Sequence, residues 1–155
     1  MWAFWEGHNH SHTELFHSQT PFRMKHCLLL PLALLILSVA PERSPEDIVQ
    51  ENLDYYNQRN IEGFMQSFTN DIALFEFGKA EPSYQGREAI REVYQRLFDQ
   101  SPKLHSTIVH RSVIGNKVID HEHITGRKGT DEPLELVMVY EVDATHITRM
   151  TVIRP

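Results

Sequence analysis

Four strand-like segments follow one another to the C-terminus: Leu104–Ile114, Lys117–Arg127, Leu134–Asp143 and His146–Ile153. They are separated by Gly115-Asn116, by Gly129-Thr-Asp-Glu-Pro133 and by the short Ala144-Thr145 turn. These are turn-forming residues, so the segments form an antiparallel meander, and one face of that sheet needs a cover. The cover precedes it. Ser44-Pro45-Glu46-Asp47 opens a helix with a cap hydroxyl, Pro at the first helical position and acids in the first turn. Val49, Leu53 and Tyr56 continue its apolar stripe to about Arg59-Asn60. Ile61, Phe64, Met65 and Phe68 make a second, short helix at i, i+3, i+4 and i+7. Asp71–Phe77 reads as a strand and Gly78–Gln85 as a loop. A third helix spans Arg87–Gln100, with Ile90, Val93, Tyr94, Leu97 and Phe98 on one face and Ser101-Pro102 closing it. The class is α+β, with helices over one face of a single sheet.

The folded domain therefore runs over residues 44–155, and residues 1–43 form an N-terminal extension. Within the extension, residues 24–40 have the order of an export signal: a basic start at Lys25, an apolar run from Cys27, then Ser38 and Ala40. The run is short for a membrane span, and Pro41 stands unfavourably behind the candidate cleavage site. Met24 is the start codon that would give this segment its usual place. If it acts as a signal, the protein is exported, periplasmic or secreted, or tethered to the membrane by an uncleaved segment. Otherwise it is cytoplasmic. The His8-Asn-His-Ser-His12 run reads as an adventitious metal binder.

Composition excludes several functions. The net charge is −6 and the basic residues are scattered, which gives no stripe for nucleic-acid phosphates. Cys27 is the single cysteine, so no intramolecular disulfide can form. No phosphate-binding glycine motif is present.

The strand opening at Lys117 carries four ionisable residues in a row, Asp120, His121, Glu122 and His123. Alternation puts Val118, Asp120, Glu122 and Ile124 on one face and Ile119, His121, His123 and Thr125 on the other. Both faces mix apolar and polar residues, so period alone leaves open which one looks inward. His121-x-His123, six residues after Gly115, matches the front half of a cupin metal motif. Arg127 and Lys128 stand where a carboxylate ligand would follow, so neither a metal nor any other cofactor is expected. Glu76, between Phe75 and Phe77 and on the face of Ile72 and Leu74, is a candidate desolvated base.

Element order, Tyr55-Tyr-Asn-Gln-Arg-Asn-Ile-Glu-Gly-Phe64, Phe68-Thr-Asn-Asp71 and Gly86-Arg-Glu-Ala-Ile-Arg91 resemble the nuclear transport factor 2-like superfamily. Val139-Tyr-Glu-Val142 and Ile147-Thr-Arg-Met150 extend the resemblance, which is similar in detail to SnoaL-like and steroid isomerase-like bacterial proteins. It implies a cone-shaped curved antiparallel sheet under three helices, the cystatin-like roll, with a mainly apolar pocket between. It also implies that Asp120 and Glu122 face the cone, that His110 and Arg111 pair across to them, and that the isomerase base falls at Glu76. The isomerase oxyanion donors fall on Asn52 and Met138, which cannot supply that function together, so 3-ketosteroid isomerisation is not expected.

The expectation is a small-molecule pocket protein, acid–base catalytic through Glu76 with Asp120 or Glu122. Asn52, Tyr56, Arg111, Met138 and Tyr140 are the expected ligand-binding residues. Its ligand would be a small apolar or aromatic carbonyl compound, and its protein partner a second copy meeting it through the sheet. The competing reading is a non-catalytic binding or dimerisation module of the same fold.

Overall fold

Each helix begins and ends on a local signal. In the computed structural model, which describes residues 42–155, α1 spans Pro45–Gln58. Ser44 Oγ accepts from the Asp47 N–H, and the Asp47 side chain accepts from the Ser44 N–H, a complete capping box. α2 (Ile61–Gln66) is capped by the Asn60 side chain, and α3 (Arg87–Gln100) begins after Gly86 at φ 85°. The N-terminal apolar segment, the histidine run and Cys27 lie outside the described residues.

The strands are β1 (Phe68–Glu76), β2 (Tyr84–Gln85), β3 (His105–Ile114), β4 (Lys117–Thr125), β5 (Leu134–Val142) and β6 (Ile147–Ile153). They form one curved, open sheet in the order β2-β1-β6-β5-β4-β3. β3 to β6 are the expected meander, and all pairs are antiparallel except β1 with β6. β1 begins three residues earlier than its apolar pattern indicated, and the loop after it contains the two-residue β2. β2 was not legible because its hydrogen bonds, not an apolar pattern, define it: both of its residues are exposed.

Burial alternates strictly along β4, with Val118, Asp120, Glu122 and Ile124 buried. This is the inward face that the family resemblance implied. α1 lies over β3, β4 and β5, while α3 lies over β1 and β2. Between the layers Tyr56, Phe64, Phe68, Tyr94 and Phe98 interlock, with ring centroids 4.5–6.2 Å apart for the pairs in contact. Such packing fixes ring orientation as well as burying area.

Gly126 follows β4 with φ 71°, and a Cβ there would clash with the Lys103 carbonyl. Positive φ and a backbone clash act together, so Gly126→Ala is expected to cost about 2–3 kcal/mol. Urea denaturation checks this, and an unchanged midpoint would show that the turn can relax.

Candidate functional site

A cavity of about 250 Å³ opens between the sheet and the helices. That is just under the range of roughly 300–1,000 Å³ typical of drug-sized ligand sites, so it suits a compact ligand. Leu74, Val93, Leu97, Leu136 and Val152 give it apolar walls. The polar groups on it are few: Asn52, Tyr56, Tyr84, Tyr94, Tyr140, Glu122, Arg127 and Arg154.

Among the described residues Glu122 is the only carboxylate that lines it, and it is 5% exposed. Ser106 Oγ donates to its Oε2 at 2.7 Å and the Tyr140 hydroxyl to its Oε1 at 3.2 Å. Burial pushes the carboxyl above its ordinary value, and the nearby Asp120 adds to this. The Ser106 and Tyr140 hydrogen bonds and Arg111 oppose the shift without cancelling it. Ser106 is itself held by α1: Asn57 donates to its carbonyl and accepts from its N–H.

Asp120 shares the face of Glu122 but has a different environment. Arg111, directly opposite it on β3, donates to both carboxylate oxygens at 2.7 Å and spends a further N–H on Gln50. Neither Arg111 nor Asp120 lines the cavity. A one-residue irregularity in β3 between Ile108 and His110 makes this pair possible. Ile108 faces Glu122 across the ladder; unbroken alternation would then turn residue 110 inward, and the extra residue substitutes Arg111. His110 consequently faces out and meets Ser112, which corrects its expected pairing with the acids.

Glu76 departs further from expectation. It continues the face of Ile72 and Leu74, but at the strand end its side chain is 49% exposed and pairs with Arg154 at 2.8 Å. The desolvation argued for it from Phe75 and Phe77 is absent, because Phe77 is itself 69% exposed and shields nothing. Glu76 stands behind Arg154 and outside the cavity lining.

Asn52, Tyr56, Met138 and Tyr140, expected from the sequence, all line the cavity. Tyr94 was hidden in the apolar stripe of α3. Its signal was a phenol in an otherwise hydrocarbon row, since a buried Tyr needs something for its hydroxyl to meet. Among the described residues neither the Tyr56 nor the Tyr94 hydroxyl hydrogen-bonds to protein, and both side chains face the cavity. Burial raises the pKa of both, and the Glu122 charge raises them further, so both remain O–H donors.

On the outer face, His121 and His123 bind the two oxygens of one carboxylate, Glu135, each at 2.6 Å. These hydrogen bonds, His123 first, hold Glu135 below the ordinary carboxylate range. Among the described residues no group of three His, Cys, Asp or Glu side chains is disposed to hold a metal ion.

Comparison with known proteins agrees with this architecture. Residues 49–150 match the family model described as SnoaL-like domain. An uncharacterised cystatin-fold protein from Novosphingobium aromaticivorans superposes with TM-score 0.66 at 22% identity, covering 72% of this chain and 99% of that one. A candidate ketosteroid isomerase from Kribbella flavida gives 0.62 at 20% identity, covering 72% and 77%. A candidate SnoaL-like polyketide cyclase from a Jannaschia species gives 0.60 at 14% identity, covering 73% and 90%. No curated protein shows significant similarity. At these identities the likeness is one of fold.

Proposed function

The chain belongs to the SnoaL-like domain family, and on that premise we propose that its cavity performs acid–base chemistry on a small apolar carbonyl compound. The observation that carries this reading is the pairing of a desolvated Glu122 with two free phenol donors, Tyr56 and Tyr94, in one apolar cavity. In the proposed step, ionised Glu122 removes a proton from the carbon next to the carbonyl. The electron pair moves onto the carbonyl oxygen, where the phenols donate to the developing enolate. In an unsaturated substrate, return of the proton from Glu122 to the far carbon of the resulting dienolate gives an isomerase. In a substrate with a second carbonyl, attack of the enolate carbon on it, with Glu122 returning its proton to the alkoxide that forms, gives a cyclase. Both of Glu122's hydrogen bonds leave lone pairs free on its oxygens. Asp120 keeps a supporting place, since its charge raises Glu122, and Glu76 acts only through Arg154.

The test is hydrogen exchange of 1-indanone in D2O, followed by NMR. Deuterium is expected to enter at the carbon beside the carbonyl faster with protein than in buffer, and Glu122→Gln is expected to remove the acceleration. Exchange at the buffer rate would overturn the catalytic proposal.

The second reading, a binding pocket without chemistry, is favoured by the two hydrogen bonds that already satisfy Glu122. It predicts that indanone raises the melting temperature while its exchange stays at the buffer rate. In either case a second copy is the proposed partner for the outer sheet face, where half-buried Ile119, Val137, Val139 and Ile153 form an apolar strip. Sedimentation is expected to show a dimer, and a monomer at every concentration would remove that proposal.

A further inference from the structure

We infer that the ligand of this cavity is an acid, whose carboxylate is held at the mouth by Arg127 and Arg154 while its apolar body enters between the sheet and the helices. The inference rests on the cavity reading above and names the class of compound that the cavity selects.

The sheet topology brings the two arginines together. β4 and β6 both run antiparallel to β5, so their C-terminal ends point towards the same end of the sheet. Arg127 follows the end of β4 and Arg154 the end of β6, and both line the cavity. Two interstrand spacings, about 10 Å, separate their strands. Ile153 lies level with Val137 while Ile124 lies level with Leu134, so the strand ends are also offset along the ladder. The two long side chains reach towards one another from either side of the cavity they both line. Gly126, at positive φ and with no room for a Cβ beside the Lys103 carbonyl, sets the turn by which the chain leaves β4 for Arg127.

Their charge is not fully used by the protein. Among the described residues Arg127 forms no ion pair. Arg154 pairs with Glu76, but both side chains are about half exposed, at 46% and 49%. Such a surface pair is weak and is readily exchanged for a carboxylate that arrives with a desolvated body attached. The field also points into the cavity: both guanidinium groups favour the ionised form of Tyr94, and Arg127 does the same at Tyr56. Glu122, the one lining carboxylate among the described residues, is buried and holds its proton more tightly than an ordinary glutamate. An anion at the rim therefore meets two cations first.

The test compares binding of indane-2-carboxylate and indane-2-carboxamide by calorimetry, with phenylacetate and phenylacetamide as a smaller pair. The wild-type protein is expected to bind each acid at least tenfold more tightly than its amide, with the preference falling as salt is added. In Arg127→Gln/Arg154→Gln the preference is expected to vanish, through loss of acid affinity. Equal affinity for acid and amide in the wild type, or a preference that survives the double substitution, overturns the acid inference alone. Failure of all four probes to bind overturns the cavity reading and the inference with it.

Discussion

Glu122→Gln is expected to lower the rate of indanone exchange, or of any later-identified turnover, by roughly 10²–10⁴, the usual contribution of a positioned general base. The same substitution is expected to stabilise the domain at neutral pH. These opposite effects have one cause. Burial and Asp120 raise the carboxyl above the ordinary glutamate value, so the folded state holds the proton more tightly than the unfolded chain does. The stabilisation from that bound proton is complete below the unfolded value and is lost as pH rises through the higher folded value. Above it, the folded protein carries an ionised, desolvated carboxylate. Glutamine keeps the shape, and Ser106 can rotate its hydroxyl to accept from the amide. The mutant's stability should therefore lack this decline, and its advantage in melting temperature should widen from acid to neutral pH and then level off. Catalysis follows the opposite course, since the base must be ionised: wild-type exchange should rise with pH through an apparent pKa above that of an ordinary glutamate. A mutant that loses exchange but melts no higher than wild type at neutral pH would show that Glu122 is not strained.

The second large effect falls on the neighbouring acid. Asp120 is 1% exposed and Arg111 supplies the charge that compensates it. Arg111→Met leaves a buried carboxylate without its partner, a change that typically costs 3–5 kcal/mol, so a loss of about 4 kcal/mol is expected in urea denaturation. Arg111→Met/Asp120→Leu, which replaces both charges with apolar groups, is expected to recover most of that loss. The recovery separates a charge effect from simple loss of packing. Arg111 also lowers the Glu122 carboxyl, so its removal should move the pH profile of exchange upward. A cost below about 1 kcal/mol, the value of an exposed ion pair, would show that Asp120 is solvated by other means.

Two acidic residues on one strand face thus have different work, and the difference is not written in their own sequence. Asp120 and Glu122 have the same spacing, the same face and similar neighbours along β4. What reaches each one from the neighbouring strands separates them. Asp120 meets a guanidinium because β3 carries an extra residue before His110. Glu122 meets two hydroxyls and the cavity. A bulge depends on the pairing of two strands, so the alternation within either strand could not predict it.

Glu76 teaches the complementary lesson. Its alternation was read correctly, as the buried Ile72 and Leu74 show, but alternation says nothing of depth. The last residue of a strand can lie on the inward face and still project beyond the layer that would cover it. Tyr94 erred the other way: an apolar stripe on α3 marked it as core, and it faces the cavity that the core leaves open.

The sequence by itself determined the element order apart from β2, the helix starts at Ser44 and Gly86, the hairpin turns, and the inward face of β4 once the family resemblance fixed its register. These are local or repeating signals: a cap satisfies N–H groups within one turn, and an alternating strand repeats its choice of face every two residues. The tertiary structure decided which inward carboxylate is neutralised, which is desolvated, and which arginines meet at the rim. Those outcomes depend on strand register, on a single inserted residue, and on which strand ends point the same way. Each is a relation between segments distant in the chain.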